Sequence, residues 1–217
     1  MSLPKPYYDD DGVTIYHGDC REVLPHLRGD VIITDPPYGV GVGYDGYEDS
    51  PEELRRLVGD VFPMMRAAAP LVAFTPGVKW MYEWPRPSWV LCWFEAAGSG
   101  VGPWGFTTWQ PILAYGRDPH AGYGSQPDGA TFGKAHTLTE DKPIGDSHPV
   151  SKPLVVARWM VNRLTRGSGV VVDPFAGSGS FLRAARDLGH RAIGVEQSER
   201  YCEIAVQRLA QGVLEFG

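Results

Sequence analysis

The chain has 217 residues, a length typical of one domain, and 43% of them are hydrophobic, which is enough for a continuous core. No apolar run approaches the roughly 18 residues of a membrane span. The formal net charge of −6 excludes a broadly basic surface of the kind that binds phosphate backbones. The acidic excess lies in residues 1–149, with 11 basic and 20 acidic side chains, whereas residues 150–217 carry 9 and 6. Any positive surface must therefore be local.

The cysteines and the N-terminus indicate the cellular compartment. Cys20, Cys92 and Cys202 are far apart and form no Cys-x-x-Cys pair, which argues against a disulfide framework and against a zinc site. The first residues contain no apolar run of the kind found in secretory signals. We therefore expect a cytoplasmic protein with no bound metal and no contact with a membrane.

The first half of the chain alternates short apolar runs with turn-forming residues. A β-branched and aromatic run predicts a strand at 13–16, and a short helix is expected at 21–27. Residues 31–34 form a continuous apolar run typical of a buried parallel strand, which ends at two prolines because proline cannot continue a ladder. Ser50, followed by proline and two acids, predicts a helix start. Further strands are predicted at 71–74, 89–94 and 111–115.

The second half begins with an irregular stretch and then becomes regular. Residues 116–147 are rich in Gly, Asp, Thr and His and show no periodicity, so we expect an irregular insertion there. The elements predicted after it are helix 154–165, strand 170–172, helix 180–188, strand 191–195 and helix 199–211. Alternating strands and helices predict an α/β fold with a mainly parallel, twisted sheet in a single domain, 1–217.

A glycine-rich turn follows the strand at 170–172. Asp173 opens the turn, and Gly177 and Gly179 allow the backbone to approach a ligand closely because they lack a Cβ atom. Glu196 lies about 20 residues farther on, where a carboxylate can accept hydrogen bonds from two ribose hydroxyls. Together these features predict a site for a nucleoside-containing cofactor at the carboxyl edge of the sheet.

The residues of this turn discriminate between cofactors. A dinucleotide-binding turn has a third glycine where this chain has Leu182, and a phosphate-binding loop needs a lysine directly after Gly179. Asp173 repels a pyrophosphate but suits an ammonium group. These features favour S-adenosylmethionine, which carries an ammonium, a sulfonium and a ribose but no phosphate.

Three motifs resemble those of the amino-DNA methyltransferases. Asp-Pro-Phe-Ala-Gly-Ser-Gly at 173–179 looks like their cofactor motif, Asp-Pro-Pro-Tyr at 35–38 looks like their catalytic motif, and His-Pro-Val-Ser-Lys-Pro at 148–153 is similar to the segment before their cofactor strand. The catalytic motif comes first, which resembles the circularly permuted beta class. The resemblance implies the Rossmann-like fold of S-adenosylmethionine-dependent methyltransferases in permuted form, and joining the chain ends would restore an uninterrupted alternation.

The resemblance also implies a set of cofactor-binding residues. Asp19 and Cys20 would flank the adenine of S-adenosylmethionine, although Asp19 is equally suited to cap the helix that follows. Ser151 and Lys152 would lie near the methionine carboxylate. The full set comprises Asp19, Cys20, Asp35, Ser151, Lys152, Asp173, Phe175, Gly177, Ser178, Gly179, Glu196 and Gln197.

By the same resemblance, Asp35, Pro36, Pro37 and Tyr38 form the catalytic site. An exocyclic amino nitrogen is a weak nucleophile, so the enzyme must orient it by accepting hydrogen bonds from its two N–H groups. The Asp35 carboxylate and the Pro36 carbonyl would do this, while Tyr38 would stack on an extruded base. Aspartate in the first position favours N6 of adenine, with N4 of cytosine as the alternative. No Pro-Cys pair exists, so methylation at C5 of cytosine is not expected.

Target recognition in double-stranded DNA is assigned by the resemblance to 116–147. This segment is short and holds three basic and five acidic residues, so it would read few base pairs or borrow contacts from a second subunit in a homodimer. We expect the loop 39–49, with Tyr44 and Tyr47, to close over the extruded base. The tryptophans, Trp104 among them, are expected in core or edge packing, with base stacking as the less favoured alternative. Two readings stay open beside the leading one: an RNA or protein-amide substrate, and a catalytically silent DNA-binding module.

Overall fold

The computed structural model describes residues 3–95, 100–133 and 151–211. Its strands are β1 (Tyr8–Asp10), β2 (Val13–His17), β3 (Val31–Thr34), β4 (Gly43–Tyr44), β5 (Tyr47–Glu48), β6 (Leu71–Phe74), β7 (Trp89–Glu95), β8 (Gly100–Gly102), β9 (Gly105–Thr107), β10 (Trp109–Tyr115), β11 (Gly129–Phe132), β12 (Val170–Asp173) and β13 (Arg191–Glu196). Its helices are α1 (Cys20–Val23), α2 (Pro51–Ala68), α3 (Leu154–Leu164), α4 (Ser180–Asp187) and α5 (Glu199–Ala210). Short 3-10 helices lie at Leu24–His26 and Met81–Glu83.

Nine of these strands form one sheet in the order β1-β2-β13-β12-β3-β6-β10-β7-β11. Five neighbouring strands run parallel to one another, namely β2, β13, β12, β3 and β6. Strand β10 lies antiparallel between β6 and β7. The predicted α/β fold with a mainly parallel sheet is therefore confirmed. Because parallel strands end at the same edge, the residues that follow β2, β13, β12, β3 and β6 meet there. Strand β2, from the first part of the chain, pairs with β13, the last strand of the described residues.

Helices cover both faces of the sheet. On one face, α3, α4 and α5 contribute buried residues such as Val156, Phe181 and Cys202. On the other face, α2 packs Leu57 and its neighbours against residues such as Phe74. Since both faces are covered, the central strands are largely apolar, and every residue of β3 is buried.

Local residue chemistry explains where the helices begin. The Ser50 hydroxyl accepts a hydrogen bond from the backbone N–H of Glu53, so Ser50 caps α2 as predicted, with Pro51 in the first turn. The helix predicted at 21–27 begins one residue earlier and becomes a 3-10 helix at Leu24. Pro25 has no backbone N–H to continue the α-helical pattern, which explains the change. The predicted strands and the remaining helices are confirmed with ends shifted by one or two residues.

The structure also corrects the sequence analysis. Residues 116–147 are not irregular throughout, because Gly129–Phe132 forms β11 and pairs in parallel with β7. Residues 134–147 lie outside the described residues. Among the tryptophans, Trp84 and Trp93 are buried, but Trp104 is fully exposed on the hairpin of β8 and β9, so its expected packing is wrong. No helix in the described ranges is long and apolar enough to cross a membrane.

Candidate active site

A cavity opens at the carboxyl edge of the sheet, beside the ends of β2, β12, β13 and β3. Most residues that the sequence analysis assigned to a cofactor line it, namely Asp19, Cys20, Asp35, Ser151, Lys152, Asp173, Phe175, Gly177, Ser178, Glu196 and Gln197. Pro37 also lines the cavity, whereas Pro36, Tyr38 and Gly179 do not. The fold thus brings together residues that are up to 178 positions apart in the chain, Asp19 and Gln197 being the extremes.

The glycine-rich turn between β12 and α4 is held by Glu196. The Gly177 N–H donates to Glu196 Oε2 at 2.8 Å, and the Ser198 N–H donates to Oε1 at 2.7 Å. Burial raises the pKa of Glu196, although these two hydrogen bonds and one from Gln197 lower it. Each carboxylate oxygen can accept a second hydrogen bond, so Glu196 retains acceptor capacity toward the cavity that it lines.

Gly179 has a different part from the one predicted. Its φ of +78° lies in the left-handed region, and a Cβ atom there would stand 2.9 Å from the Cβ of Ala205 on α5. Glycine is therefore required for the turn and for the close approach of α5.

Asp173 is a buried carboxylate with one oxygen that has no hydrogen-bond partner. Its Oδ1 accepts from the Thr34 hydroxyl at 2.5 Å and from the Phe175 N–H at 3.1 Å, while Oδ2 has no partner among the described residues. Burial, assisted by the charges of Asp35 and Glu196, raises the pKa of Asp173 to about 7 despite those two hydrogen bonds. An unsatisfied buried carboxylate oxygen is costly, so this position suits a cationic ligand group.

Asp35 lies at the end of β3 within a network of polar side chains. Its Oδ1 accepts hydrogen bonds from the hydroxyls of Tyr38 and Thr75, and its Oδ2 lies 2.9 Å from Lys152 Nζ. The Lys152 ammonium also donates to the Tyr38 hydroxyl at 2.9 Å. Burial, reinforced by the negative charge of Asp35, raises the pKa of Tyr38 well above its ordinary value, which keeps the phenol a donor. Thr75, which follows β6, was missed by the sequence analysis because a lone threonine carries no motif.

Lys152 lines the cavity, but its ammonium is paired with a carboxylate of the protein. Its side chain is 9% exposed and pairs with Asp35, and its ammonium lies 5.4 and 5.2 Å from the ring centroids of Tyr38 and Trp93. The sequence analysis placed Lys152 near a ligand carboxylate, whereas the structure gives it a carboxylate partner from the protein. The lysine therefore forms a largely buried ion pair with Asp35 and helps to hold that side chain in place.

A second polar network joins the C-terminal helix to Ser151. Arg208 on α5 is 1% exposed, and its guanidinium donates to the Ser151 hydroxyl at 3.0 Å and to the Ser180 hydroxyl. Ser151 Oγ also lies 2.9 Å from Ser178 Oγ, and the Ser180 hydroxyl donates to the Lys152 carbonyl at 2.7 Å. The sequence analysis missed Arg208, since an arginine on a terminal helix is usually solvated. The network fixes the cavity wall and brings a positive charge close to it.

The loop 39–49 is held together by Asp49 and is tied to Gln197 of the cavity wall through Gly46. The carboxylate of Asp49 accepts three backbone hydrogen bonds from the loop, from Gly39 at 2.6 Å and from Val40 and Val42 at 3.0 Å. At the other end, Gln197 donates to the Gly46 carbonyl at 3.4 Å, and Tyr44 and Tyr47 both line the cavity. The loop therefore forms part of the cavity wall.

Asp19 and Cys20 form the wall at the end of β2. Asp19 caps α1, because its Oδ1 accepts from the Arg21 N–H at 2.8 Å, and it also lines the cavity, so both functions weighed for it fit the geometry. Burial raises the pKa of the Cys20 thiol to about 12, which makes it a packing residue rather than a nucleophile.

Known methyltransferases have structures similar to this one. The PvuII DNA methyltransferase (cytosine-N4-specific) has a similar structure, with a TM-score of 0.70 and 16% identity over 97% of this chain and 90% of that one. M1.HpyAVI in its SAM complex gives a TM-score of 0.68 and 18% identity, over 92% of this chain and 100% of that one. At these identities the likeness establishes the fold, which is that of known methyltransferases.

Sequence similarity establishes the family. YubD of Escherichia coli (strain K12), a protein assigned as a methylase, is 32% identical over 213 residues, which span 89% of this chain and 88% of YubD. Residues 76–207, more than half of the chain, match the N6/N4 methyltransferase family, which is described as DNA methylase. The chain therefore belongs to the N6/N4 DNA methylase family.

Proposed function

We propose that this protein transfers a methyl group from S-adenosylmethionine to an exocyclic amino group of a base in double-stranded DNA, with N6 of adenine as the favoured target. The observation that carries the proposal is the position of the Asp35 carboxylate. It stands at the end of β3, in the same cavity as Asp173 and Glu196, and is held there by Tyr38, Thr75 and Lys152.

The residues of the cavity fit S-adenosylmethionine. The unpartnered Oδ2 of Asp173 suits the methionine ammonium, and Glu196 suits the ribose hydroxyls. The buried Arg208, acting through Ser151, supplies positive charge on the side where a methionine carboxylate would lie. Asp19, Cys20 and Phe175 would border the adenine. When bound, the cofactor supplies an activated methyl group on a sulfonium.

The catalytic work of the protein is orientation and charge stabilisation. Asp35 accepts a hydrogen bond from one amino N–H of the target base, and the Pro36 carbonyl accepts from the other, which turns the nitrogen lone pair toward the methyl group. The carboxylate also stabilises the positive charge that develops on nitrogen. Tyr38 and Thr75 donate to the opposite oxygen of Asp35 and hold it still, while the Tyr38 ring stacks against the extruded base.

The strand order supports a circularly permuted version of the fold. The sheet order runs from β12 to β13 and then to β2, although β2 precedes both of these strands in the chain. In an unpermuted order β2 would come after β13 in the chain, whereas here it precedes both β3 and β12. The catalytic motif after β3 consequently precedes the cofactor turn after β12.

Target recognition is proposed for 116–147, as a short segment inserted in one domain of 217 residues. Its first part leads to β11, which is an edge strand of the sheet and pairs with β7. The small size of the segment favours contacts from a second subunit, and a homodimer is the assembly that would supply them.

The favoured base is separated from its alternatives by product analysis. Purified protein is incubated with S-adenosylmethionine and unmethylated plasmid DNA, and the DNA is digested to nucleosides for mass spectrometry. N6-methyladenine is expected. N4-methylcytosine, the alternative favoured by the likeness to a cytosine-N4-specific enzyme, would keep the mechanism and change the target. DNA binding without any methylated base would instead support a catalytically silent DNA-binding module.

The catalytic role proposed for Asp35 is tested by Asp35→Asn, which preserves the shape of the side chain. We expect methyl transfer to fall by roughly 100- to 1,000-fold, the usual effect of removing one such electrostatic contact. Affinity for S-adenosylmethionine, measured by calorimetry, should change by less than about threefold, because the ribose and ammonium contacts are elsewhere.

The matched control is Asp60→Asn, an aspartate on α2 whose side chain is 57% exposed. It should transfer methyl groups at the normal rate. If Asp35→Asn lost cofactor affinity in proportion to transfer while remaining folded, Asp35 would be a cofactor ligand and its catalytic assignment would be wrong.

A further inference from the structure

The hairpin of β8 and β9 exposes an unusual amount of apolar surface. Val101, Trp104 and Phe106 are 79%, 102% and 78% exposed, and the stretch 96–116 contains no charged residue. Trp104 stands at the tip, between the paired residues Gly102 and Gly105. A fully exposed tryptophan at the tip of a hairpin contributes nothing to the core, so this surface points to a binding partner.

The register of the sheet places this hairpin beyond the carboxyl edge of the parallel strands, the edge at which Asp35 lies and which we call the catalytic edge. Leu113 of β10 pairs with Phe74, the last residue of β6, and Phe74 in turn pairs with Thr34, the residue before Asp35. The strand β10 begins at Trp109, so it extends four residues past this level, roughly 13 Å at the usual rise. The hairpin adjoins that end of β10, with Thr108 as the one residue between β9 and β10.

The distance across the strands between Asp35 and the base of the hairpin is also small. Only β6 separates β3 from β10 in the sheet, so the base of the hairpin lies roughly 10 to 15 Å to the side of Asp35. This offset is comparable with the width of the DNA major groove, about 12 Å, into which a two-stranded β-ribbon fits. A duplex that presents a base to Asp35 would therefore lie against the hairpin.

We propose that the hairpin Gly100–Thr107 inserts into the DNA duplex and that Trp104 stacks on the base pairs next to the extruded target base. This inference rests on the proposed function, because it assigns a surface to the same substrate. Apolar and aromatic wedges unstack base steps in this way and thereby favour extrusion of a base. The absence of charge on the hairpin suits a group that enters the base stack, whereas a phosphate contact would need Lys or Arg.

A second copy of the chain fits the exposed surface of the hairpin less well than DNA does. The three exposed side chains would bury on the order of 400–600 Å², less than the roughly 800 Å² per partner of a stable protein–protein interface. Stacking on DNA requires no such area, since one aromatic ring between bases already contributes substantially to binding.

The test compares Trp104→Ala with two matched variants on unmethylated plasmid DNA. The conservative variant is Trp104→Phe, and the control is Trp89→Ala, which removes a tryptophan that is 62% exposed at the opposite end of β7. We expect kcat/KM for DNA to fall by roughly 10- to 100-fold in Trp104→Ala and by less than about threefold in the other two. Affinity for S-adenosylmethionine should be unchanged in all three.

Tryptophan fluorescence gives a second reading that does not depend on methylation. Adding duplex DNA to the wild-type protein with S-adenosylhomocysteine should quench the emission, because Trp104 stacks on bases. Trp104→Phe should lose most of that quenching, and Trp89→Phe should keep it. Unchanged quenching in Trp104→Phe, or normal duplex turnover by Trp104→Ala, would overturn the proposal, as would a wild-type dimer that Trp104→Ala converts to monomers in sedimentation.

These outcomes differ from a failure of the proposed function. If the wild-type protein produces no methylated base, the proposed function is refuted, and the fluorescence measurement still decides whether the hairpin enters DNA. If the wild-type protein methylates DNA and Trp104→Ala does so equally well, only the hairpin proposal is refuted.

Discussion

Asp173→Asn removes a buried charge and almost preserves the shape of the side chain. Asp173 is 1% exposed, and burial raises its pKa from 3.8 to about 7. A rise of this size corresponds to roughly 4 kcal/mol of differential free energy between the charged and neutral forms. Above pH 7 the folded protein must carry the charged form, so Asp173 destabilises the protein in the absence of a ligand.

The pH dependence follows from the direction of this pKa change. Between pH 4 and pH 7 the folded state holds the Asp173 proton while the unfolded state has released it, so raising the pH through this window lowers stability. The asparagine variant carries no such charge and lacks this loss. The asparagine side chain also accepts hydrogen bonds from Thr34 and Phe175 less strongly than a carboxylate does, which reduces the gain in stability.

We therefore expect Asp173→Asn to be more stable than the wild-type protein by about 1–3 kcal/mol at pH 8. This corresponds to an increase in Tm of roughly 3 to 10 °C for a chain of this size. At pH 4 the difference should nearly vanish. Thermal unfolding without ligand at the two pH values measures both quantities.

The same substitution should weaken cofactor binding, because the amide cannot pair with an ammonium group. We expect the affinity for S-adenosylmethionine, measured by calorimetry at pH 8, to fall by roughly 10- to 100-fold, the usual effect of losing a charged hydrogen bond. A variant of equal or lower stability at pH 8, or a stability difference that is the same at pH 4, would refute the reasoning from burial. Normal cofactor affinity would refute the ammonium site.

Two further predictions concern the backbone around the cavity. Gly179→Ala should lower the free energy of unfolding by about 2–4 kcal/mol in urea titration, because it adds a clash with Ala205 to the strain of a positive φ. Gly189→Ala has the same φ of +78° but no atom within 4 Å, so it should cost only about 1 kcal/mol, and equal losses would contradict the clash. Asp49→Asn can accept fewer of the three loop N–H groups, so hydrogen exchange of the Gly39, Val40 and Val42 amides should accelerate at least about tenfold, and unchanged protection would show that Asp49 does not anchor the loop.

Local sequence patterns determined the secondary structure and the outline of the site. The apolar run at 31–34 and the capping residue Ser50 act within a few residues of chain, so their effects can be predicted from sequence, and β3 and the start of α2 are confirmed. The cofactor turn is also local, since strand, glycines and helix follow one another directly. Glu196 could be predicted beside the turn because only one helix separates it from Gly177, and the structure joins them by a hydrogen bond.

Only the tertiary structure decided the pairing of groups that are distant in the chain. Lys152 and Asp35 are 117 positions apart, and their ion pair depends on how α3 packs against the sheet, which no local pattern encodes. The burial of Arg208 depends in the same way on the approach of α5 to Ser151 and Ser180.

The sequence by itself thus determined the α/β alternation, the cofactor turn and the residue types available for catalysis, because each arises from interactions along a short stretch of chain. The tertiary structure decided that β11 joins the sheet edge and that Trp104 stands in solvent beyond the catalytic edge. A tryptophan has the same local preferences in a core and on a hairpin tip, and only the packing of the other elements determines whether anything covers it.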